Sequence, residues 1–280
     1  MSDSRYCLDI GTNNVRLSFV DTGEILSEKN AVAIKDEKYV IGYGDVAYDM
    51  FEKTPENIEV VFPVVEGVIS HIEKMQLLLE ALYKKLNFGK ILKGSNFLIA
   101  IPSDVTEVEK RAFHELVADS RIKPRSISVV EKSVADAISC SINPENPHGN
   151  VIVNVGAAVT EISVISLGGV VLGTTLPLGG NKINENLVSM IRQSENKLIG
   201  LKSAENLKIK LANLDEEAEP EQMNLFCRMM ATGLPVKTVV SSDVVNKAVR
   251  SVIDPIIDAV VRTLEKTPPE LAADVSQAGI

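Results

Sequence analysis

Two short segments of the sequence place an acidic or amide residue two positions before a glycine. The first is Asp9-Ile10-Gly11 and the second is Asn154-Val155-Gly156. Each lies between two apolar, largely β-branched runs, which is the pattern of a hairpin with a tight turn. Turns of small residues leave backbone N–H groups available to an anion such as a phosphate. The two copies therefore predict two similar halves that hold one anionic ligand between them.

Strand-like and helix-like runs alternate along the chain, which predicts an α/β protein with two mixed sheets. Apolar spacing predicts an amphipathic helix over residues 67–86. Asp104 followed by Glu107 has the pattern of a helix cap. A polar start at Ser203 predicts a helix to Leu211. The segment 143–149, rich in Pro, Asn and Gly, predicts the boundary between the halves.

Composition excludes several classes of function. The 280-residue chain has a net charge of −9, which argues against nucleic acid as a partner. No apolar run reaches the roughly 20 residues of a membrane span, and the first residues do not form a signal peptide. We therefore expect a cytosolic protein. The three cysteines and three histidines lack metal-binding spacing, so we predict no metal site.

The segment 87–94 carries three large apolar residues among lysines, namely Phe88, Ile91 and Leu92. One interpretation is a loop that packs against its own domain. The other is a tip that touches a membrane, because exposed apolar residues beside lysine suit an anionic lipid surface. Composition alone leaves both interpretations open.

Longer segments match one protein family in order along the chain. They are Asp9-Ile10-Gly11-Thr12, Ile101-Pro102, Thr106-Glu107-Val108-Glu109-Lys110-Arg111-Ala112, Thr160-Glu161, Thr232-Gly233-Leu234-Pro235 and Glu265-Lys266-Thr267-Pro268-Pro269-Glu270-Leu271-Ala272-Ala273-Asp274. The chain resembles MreB, the bacterial actin family, over its whole length. The resemblance implies an actin-like fold with two similar halves around a nucleotide cleft, and a role in bacterial cell shape.

The resemblance also implies a division into subdomains and a set of partners. Subdomain IA would comprise 1–31 and 75–142, IB 32–74, IIA 143–181 and 241–280, and IIB 182–240. IIA would be incomplete, because the chain stops before the family's C-terminal strand and helices. The implied partners are another copy or another MreB in a filament, the inner face of the cytoplasmic membrane, and membrane proteins of cell-wall elongation. Phe88, Ile91 and Leu92 match the family's membrane loop.

The family's nucleotide-binding positions carry over to residues of this sequence. The resemblance implies that the two turns grip the phosphates of ATP and that a later helix lies near the nucleoside. The implied nucleotide-binding residues are Asp9, Gly11, Thr12, Asn13, Asn14, Gly156, Ala157, Ala158, Glu205, Asn206, Leu207 and Lys208.

Several of these positions depart from the family pattern. Lys132 stands where the family has a glutamate that orients the attacking water, and an ammonium cannot accept that water's proton. Asn154 lacks the charge that helps to hold a metal-bound water, and Ala157 and Ala158 replace glycines, so that each Cβ can obstruct the loop. We therefore expect weakened ATP binding, a doubtful role for Mg²⁺ and inefficient hydrolysis, and assign no catalytic residue.

The departures have two explanations. In one, the protein is a diverged paralogue whose cleft binds nothing. In the other, Lys132 partly replaces Mg²⁺ beside the phosphates and nucleotide is held without hydrolysis. Three classes of function remain: a filament-forming cytoskeletal protein, an active ATPase or kinase of the actin-like superfamily, and a non-polymerising regulator of a true MreB.

Overall fold

The structure is a computed structural model that describes residues 4–91, 93–215 and 217–280. Contacts within the chain define two compact units. Unit 1 consists of Met1–Asn154, Glu161–Thr175 and Thr267–Ile280, and unit 2 consists of Val155–Thr160 and Leu176–Lys266. These units divide the chain at positions other than 143–149, and the four-subdomain division stays a prediction.

Strands and helices alternate along the described chain, as the sequence predicts. The strands are β1 (Arg5–Ile10), β2 (Asn14–Phe19), β3 (Glu24–Lys29), β4 (Val32–Lys35), β5 (Tyr39–Tyr43), β6 (Ile58–Val61), β7 (Val64–Val65), β8 (Val68–Ile69), β9 (Asn96–Ile101), β10 (Ser126–Glu131), β11 (Asn150–Val155), β12 (Thr160–Ser166), β13 (Gly169–Leu176), β14 (Lys197–Leu198), β15 (Gln222–Met229) and β16 (Pro235–Ser241). The helices are α1 (Gly44–Met50), α2 (Ile72–Leu86), α3 (Glu107–Ala118), α4 (Lys132–Ser139), α5 (Gly180–Glu195), α6 (Leu201–Leu211), α7 (Ser242–Lys266) and α8 (Pro269–Ala278).

The main sheet of unit 1 has five strands in the order β10, β9, β1, β2, β3. β1 pairs antiparallel with β2 and parallel with β9. Along β1, Tyr6, Leu8 and Ile10 are buried while Arg5 is exposed, which is the period-two pattern of a strand with one face on a core. The first glycine turn therefore lies at the end of a central strand.

Helix α2 covers this sheet with the face that its apolar spacing predicts. Met75, Leu78, Leu79 and Leu82 are buried, and they pack with Tyr6 and other strand residues into the core of unit 1. Two smaller sheets complete this region, with the orders β5, β4, β6 and β7, β8. They place α1 against β3, β4 and β5.

A three-stranded sheet in the order β11, β12, β13 carries the second glycine turn between its first two strands. Every residue of β12 is buried. Helix α8 returns to the start of this sheet, where the Asp274 carboxylate accepts hydrogen bonds from the Gly149 N–H at 2.8 Å and contacts His148 Nδ1 at 3.3 Å. A Cβ on Gly149 would lie 2.9 Å from the Cβ of Leu271, so only glycine allows this approach.

Unit 2 has its own core between helices and the sheet β14, β15, β16. Leu187 and Ile191 of α5, Leu207 of α6, and Val245 and Val252 of α7 form its centre. The inward residues of β15 and β16, among them Cys227 and Val240, close it from the sheet side. Unit 2 therefore buries an apolar core independent of the one in unit 1.

The structure corrects three boundaries. The predicted helix over 67–86 begins only at Ile72, because Gly67 has φ +83° and Ser70 N–H and His71 N–H donate to Pro63 O. The helix predicted from Ser203 begins at Leu201 after Gly200. Both starts are set by backbone turns that apolar spacing does not record.

The predicted Asp104 and Glu107 cap is also wrong. Thr106 caps α3: its Oγ1 accepts from Glu109 N–H at 3.3 Å, and the Glu109 carboxylate accepts from Thr106 N–H at 2.7 Å. This is a capping box shifted by two residues. Both registers contain an acceptor followed three residues later by glutamate, so the sequence pattern alone does not separate them.

Candidate nucleotide site

The two glycine turns are each closed by the same type of backbone hydrogen bond. Gly11 N–H donates to Asn14 O, and Gly156 N–H donates to Val159 O, both at 2.9 Å. A Cβ would lie 3.0 Å from Asn14 O at the first glycine and 2.8 Å from Val159 O at the second. Glycine is therefore required in each turn for close approach of the backbone, and the internal repeat predicted from sequence holds at atomic detail.

In unit 1 the first turn is held by Asn30, at the junction of β3 and β4. Asn30 Nδ2 donates to Gly11 O at 2.8 Å, and Asn30 N–H donates to Asn13 O at 2.9 Å. Thr12 contributes its Oγ1 as acceptor for Gly67 N–H at 3.2 Å. Because Asn30 is completely buried, these contacts fix the loop from its protein side.

In unit 2 the second turn is held by the N-terminus of α5. Gly180 N–H donates to Gly156 O at 3.0 Å and Asn181 N–H to Ala157 O at 2.7 Å. A Cβ on Gly179 would lie 2.6 Å from Gly156 O, so Gly179 is what lets the helix come this close. Each turn is thus fixed through two of its own backbone carbonyls, which accept hydrogen bonds from a neighbouring segment.

The alanines of the second turn fit without backbone strain. Ala157 and Ala158 are absent from the described residues with positive φ, so their methyl groups do not force a left-handed conformation. In the part of the chain that the structure describes, the N–H groups of Thr12, Ala157 and Ala158 donate no hydrogen bond within the protein. Free N–H groups in a tight turn suit a phosphate, and the expected obstruction by each Cβ is not seen in the backbone.

Lys132 lies among carboxylates at the start of α4 in unit 1. Its ammonium Nζ is 2.8 Å from Asp9 Oδ1, and its side chain is only 17% exposed. Asp9 Oδ2 accepts from Arg16 Nη1 at 2.9 Å. The buried Oδ1 accepts no directed hydrogen bond from the described residues, so the contact with Lys132 is an ion pair. Asp9 is therefore neutralised from both sides.

Two further carboxylates face the same charge. Burial raises the pKa of Asp136, while the hydrogen bond from Asn154 Nδ2 and the charge of Lys132 lower it. Burial likewise raises the pKa of Glu161. The Ser103 N–H, which donates to Glu161 Oε1 at 2.8 Å, and the charge of Lys132 reduce this rise without cancelling it. Lys132 is thus the cation that offsets three carboxylates close together.

The described residues were also compared with the requirements of a metal site. Among residues 4–91, 93–215 and 217–280, no group of three or more His, Cys, Asp and Glu side chains could hold a metal ion. The ammonium of Lys132 stands beside the Asp9 oxygen that a cation would need. The side-chain amide of Asn154 donates a hydrogen bond to the Asp136 carboxylate.

The predicted nucleoside residues on α6 divide into two sets. Leu207 is completely buried in the core of unit 2, so its side chain anchors the helix, and its predicted role near the nucleoside stays a prediction. Lys208 Nζ donates to Gly180 O at 2.9 Å and thereby ties α6 to the start of α5. Glu205 is half-buried three residues earlier, and Asn206 is exposed.

The predicted membrane loop presents one large apolar side chain. Phe88 is 95% exposed and has φ +51°. Ile91 is half-buried against the core of unit 1, and Leu92 lies outside the described residues. No helix of the described chain is long and apolar enough to cross a membrane.

Sequence reasoning missed the residues that hold the site from a distance, namely Arg16, Asn30, Ser103, Asp136 and Glu161. Their partners lie 7 to 58 positions away. The Gly179-Gly180 pair carried a detectable signal, because two glycines at the start of an amphipathic helix indicate close backbone approach.

Comparison with known proteins gives the family. The profile described as MreB/Mbl protein matches residues 3–280. The chain belongs to the MreB/Mbl family. The cell shape-determining protein Mbl of Bacillus subtilis (strain 168) is 32% identical over 274 residues, which cover 98% of this chain and 82% of that protein. The cell shape-determining protein MreB of Escherichia coli (strain K12) is 29% identical over 279 residues, covering 98% and 80%.

Solved structures agree with this assignment. The crystal structure of MreB 5 of Spiroplasma citri bound to AMPPNP matches this member of the MreB/Mbl family with a TM-score of 0.94 and 31% identity, covering 100% of this chain and 84% of that one. The MamK double helical filament matches with a TM-score of 0.75 and 21% identity, covering 96% and 82%, which bears on the fold alone. The predicted actin-like fold is confirmed.

Proposed function

We propose that this protein forms or modulates MreB-type filaments that determine cell shape at the inner face of the cytoplasmic membrane. The family match over residues 3–280 supports the proposal, and relatives that cover nearly the whole chain are named cell shape-determining proteins. Sedimentation of the purified chain tests it. We expect a pellet that grows with protein concentration above a threshold. A chain that stays in the supernatant, both alone and with an intact MreB, contradicts the proposal.

Nucleotide is the ligand that the site supports best. The observation that carries this part is the pair of glycine turns, each with the same 2.9 Å hydrogen bond and with N–H groups free to meet a phosphate. Solved relatives hold AMPPNP and ADP. When bound, ATP would supply phosphate oxygens that the N–H groups of such a turn can grip. Calorimetry with ATP and ADP is expected to give micromolar affinity, and no binding up to millimolar nucleotide contradicts it.

We propose further that Lys132 takes the place of Mg²⁺, so that nucleotide is held without efficient hydrolysis. Three carboxylates next to a phosphate would repel it, and the Lys132 ammonium offsets their charge within unit 1. Binding should then be nearly the same with Mg²⁺ and with a chelator. Phosphate release should stay close to the uncatalysed rate, because an ammonium cannot accept the proton of water.

A pair of variants tests the role of Lys132. The double substitution Lys132→Glu with Asn154→Asp restores two acidic positions and should make nucleotide binding dependent on Mg²⁺. Lys132→Met, which removes the charge without adding a carboxylate, should weaken binding with and without the metal. Unchanged binding in the double variant would remove the idea.

The remaining classes of function separate in the same assays. A regulator that does not polymerise would pellet only together with an intact MreB. An active ATPase or kinase would release phosphate or phosphorylate a sugar without forming a pellet. The ion pair between Lys132 and Asp9 disfavours the enzyme, since the ammonium at this position cannot accept the proton of water.

We propose that Phe88 attaches the protein to the membrane surface. The side chain is almost fully exposed beside Lys90, and an exposed aromatic beside a cation suits an anionic lipid surface. Flotation with vesicles of anionic phospholipid should fall with Phe88→Ser. Ile25→Ser is the matched control, because Ile25 is 67% exposed on β3. Equal flotation of both variants and the wild type would contradict the role of Phe88.

A further inference from the structure

Unit 2 exposes a sheet face that combines apolar and basic side chains. In β15 and β16 alternate residues face the core, and the other set faces solvent. The outward set is Gln222, Asn224, Phe226, Arg228, Pro235, Lys237 and Val239. Phe226 is 76% exposed and Val239 51%. The antiparallel register places Phe226 opposite Lys237 and Asn224 opposite Val239, so these side chains form one patch, which we call the sheet patch.

The sheet patch is basic as well as apolar. Arg228 and Lys237 are its charged members, and in β14, β15 and β16, which the structure describes in full, no outward position holds a carboxylate. Leu198 of β14, which pairs with Arg228, extends the apolar area. A phenylalanine three-quarters exposed on the face of a sheet marks an interaction surface.

The second half of α7 carries an exposed stripe of the opposite charge. Asp254, Ile257, Asp258 and Val261 follow the spacing i, i+3, i+4, i+7, which places them on one side of the helix. Ile257 is 54% exposed and Val261 49%, whereas Val252, Ile256, Ala259 and Thr263 on the other side are buried. We call this side the helix stripe. Glu265 extends it, and exposed Arg262 follows Asp258 by four residues, so the stripe carries one cation beside its three carboxylates.

We propose that the sheet patch of one copy docks on the helix stripe of a second copy. The inference rests on the proposed filament function and names its contact. Two cations and an aromatic residue face two to three carboxylates and two branched apolar residues, so the charges are complementary. The lengths also agree, since the twelve residues from Asp254 to Glu265 span roughly 17 Å of helix and the five residues from Asn224 to Arg228 span roughly 14 Å of strand.

The arrangement joins copies head to tail. The two patches differ, so the contact is heterologous, and each added copy leaves one sheet patch and one helix stripe free at the ends. A face that paired with itself would stop at a dimer. A head-to-tail contact builds an open filament where its rotation does not close and a ring where it does, and the proposed filament function corresponds to the open form.

Sedimentation of full-length variants tests the contact. The sheet variant combines Phe226→Ser with Lys237→Glu, and the helix variant combines Ile257→Ser with Asp258→Lys. Each should raise the concentration needed for polymerisation about tenfold or more, as truncation of a central aromatic or charged anchor does. Ile25→Ser on β3 is the matched control and should polymerise like the wild type. Circular dichroism verifies that all chains fold.

Mixing the two variants separates this contact from others. The helix variant keeps an intact sheet patch, and the sheet variant keeps an intact helix stripe, so the mixture should give heterodimers by analytical ultracentrifugation and no filaments. Combining Lys237→Glu and Asp258→Lys in one chain should restore much of the polymerisation, because the reversed charges attract again. Monomers in the mixture together with no recovery in the charge swap would overturn the proposal.

The remaining outcomes are distinct. A wild-type chain that never polymerises contradicts the proposed function and the contact together. A wild type that polymerises, with both variants equal to it, overturns the contact alone. If Phe226→Ser loses binding to anionic vesicles but polymerises normally, the sheet patch is a lipid surface and the proposal fails.

Discussion

The second turn can form only because residue 156 has no Cβ atom. Its φ is not positive, yet a Cβ would meet Val159 O at 2.8 Å. We expect Gly156→Ala to lower the free energy of unfolding by about 1–3 kcal/mol, the usual cost of overpacking, and to abolish nucleotide binding. Gly169→Ala is the control, since nothing lies within 4 Å of its Cβ position. Urea denaturation measures both, and equal stabilities would contradict the argument.

Glu161 carries a pH dependence with a defined sign. Burial raises its pKa above the unfolded value, so its contribution to stability is fully present below pH about 4 and is lost as the pH rises through the folded pKa. Glu161→Gln keeps an oxygen to accept from Ser103 N–H and removes this cost. The variant should therefore be more stable than the wild type at pH 7 and equal to it at pH 4.

The pH dependence of stability that Glu109 contributes has the opposite sign to that of Glu161. Hydrogen bonds from Thr106 lower its pKa, so its contribution is present at neutral pH and lost as the pH falls through the folded pKa. The stability of Glu109→Gln should therefore differ from that of the wild type only at pH values above the folded pKa of Glu109. Parallel pH curves for the two variants would contradict the assignment of either group.

The sequence located the residues that define each turn, because a glycine between two apolar runs is a local pattern. Lys132 and Asn154 were also found locally, as departures from a family pattern. The partners of these two residues were not found. The ion pair from Lys132 to Asp9 depends on how β1, β9 and β10 lie side by side, and the hydrogen bond from Asn154 to Asp136 depends on how β11 packs near α4. Long-range contacts of this kind leave no trace in spacing.

Helix α3 allows the two possible caps to be compared directly. Thr106 makes both hydrogen bonds of the capping box, whereas Asp104, which the sequence pattern also permits, makes none of them. We expect Thr106→Ala to cost about 1 kcal/mol of stability and Asp104→Ala to cost nothing measurable. A larger effect at Asp104 in thermal denaturation would contradict the observed cap.

At the level of elements, strands were predicted well where burial alternates, as in β1 and β9, because period two is visible without tertiary knowledge. Helix starts were predicted less well. The beginning of α2 depends on a turn closed on Pro63 O, and apolar residues at Val68 and Ile69 suit a helix face and a two-residue strand equally. Local pattern fixes the type of an element better than its first residue.

At the scale of the whole molecule, each compact unit has a large apolar core of its own among the described residues. Chains with two cores usually depart from two-state unfolding. Leu78 and Leu187 are fully buried, one in each core, and Leu→Ala at such sites costs about 2–5 kcal/mol. In calorimetry we expect Leu78→Ala and Leu187→Ala to lower different transitions. One transition lowered equally by both variants would contradict independent cores.

A phosphate-type turn that depends on one glycine is open to evolutionary change at its other positions. Because Gly11 and Gly156 supply only room for a carbonyl three residues on, neighbours can become asparagine or alanine while the backbone stays the same. Searches for glycine-rich signatures would pass over such turns in other divergent genomes. A lone glycine that closes onto the residue three positions later, directly after a strand, is the feature that both turns of this chain share.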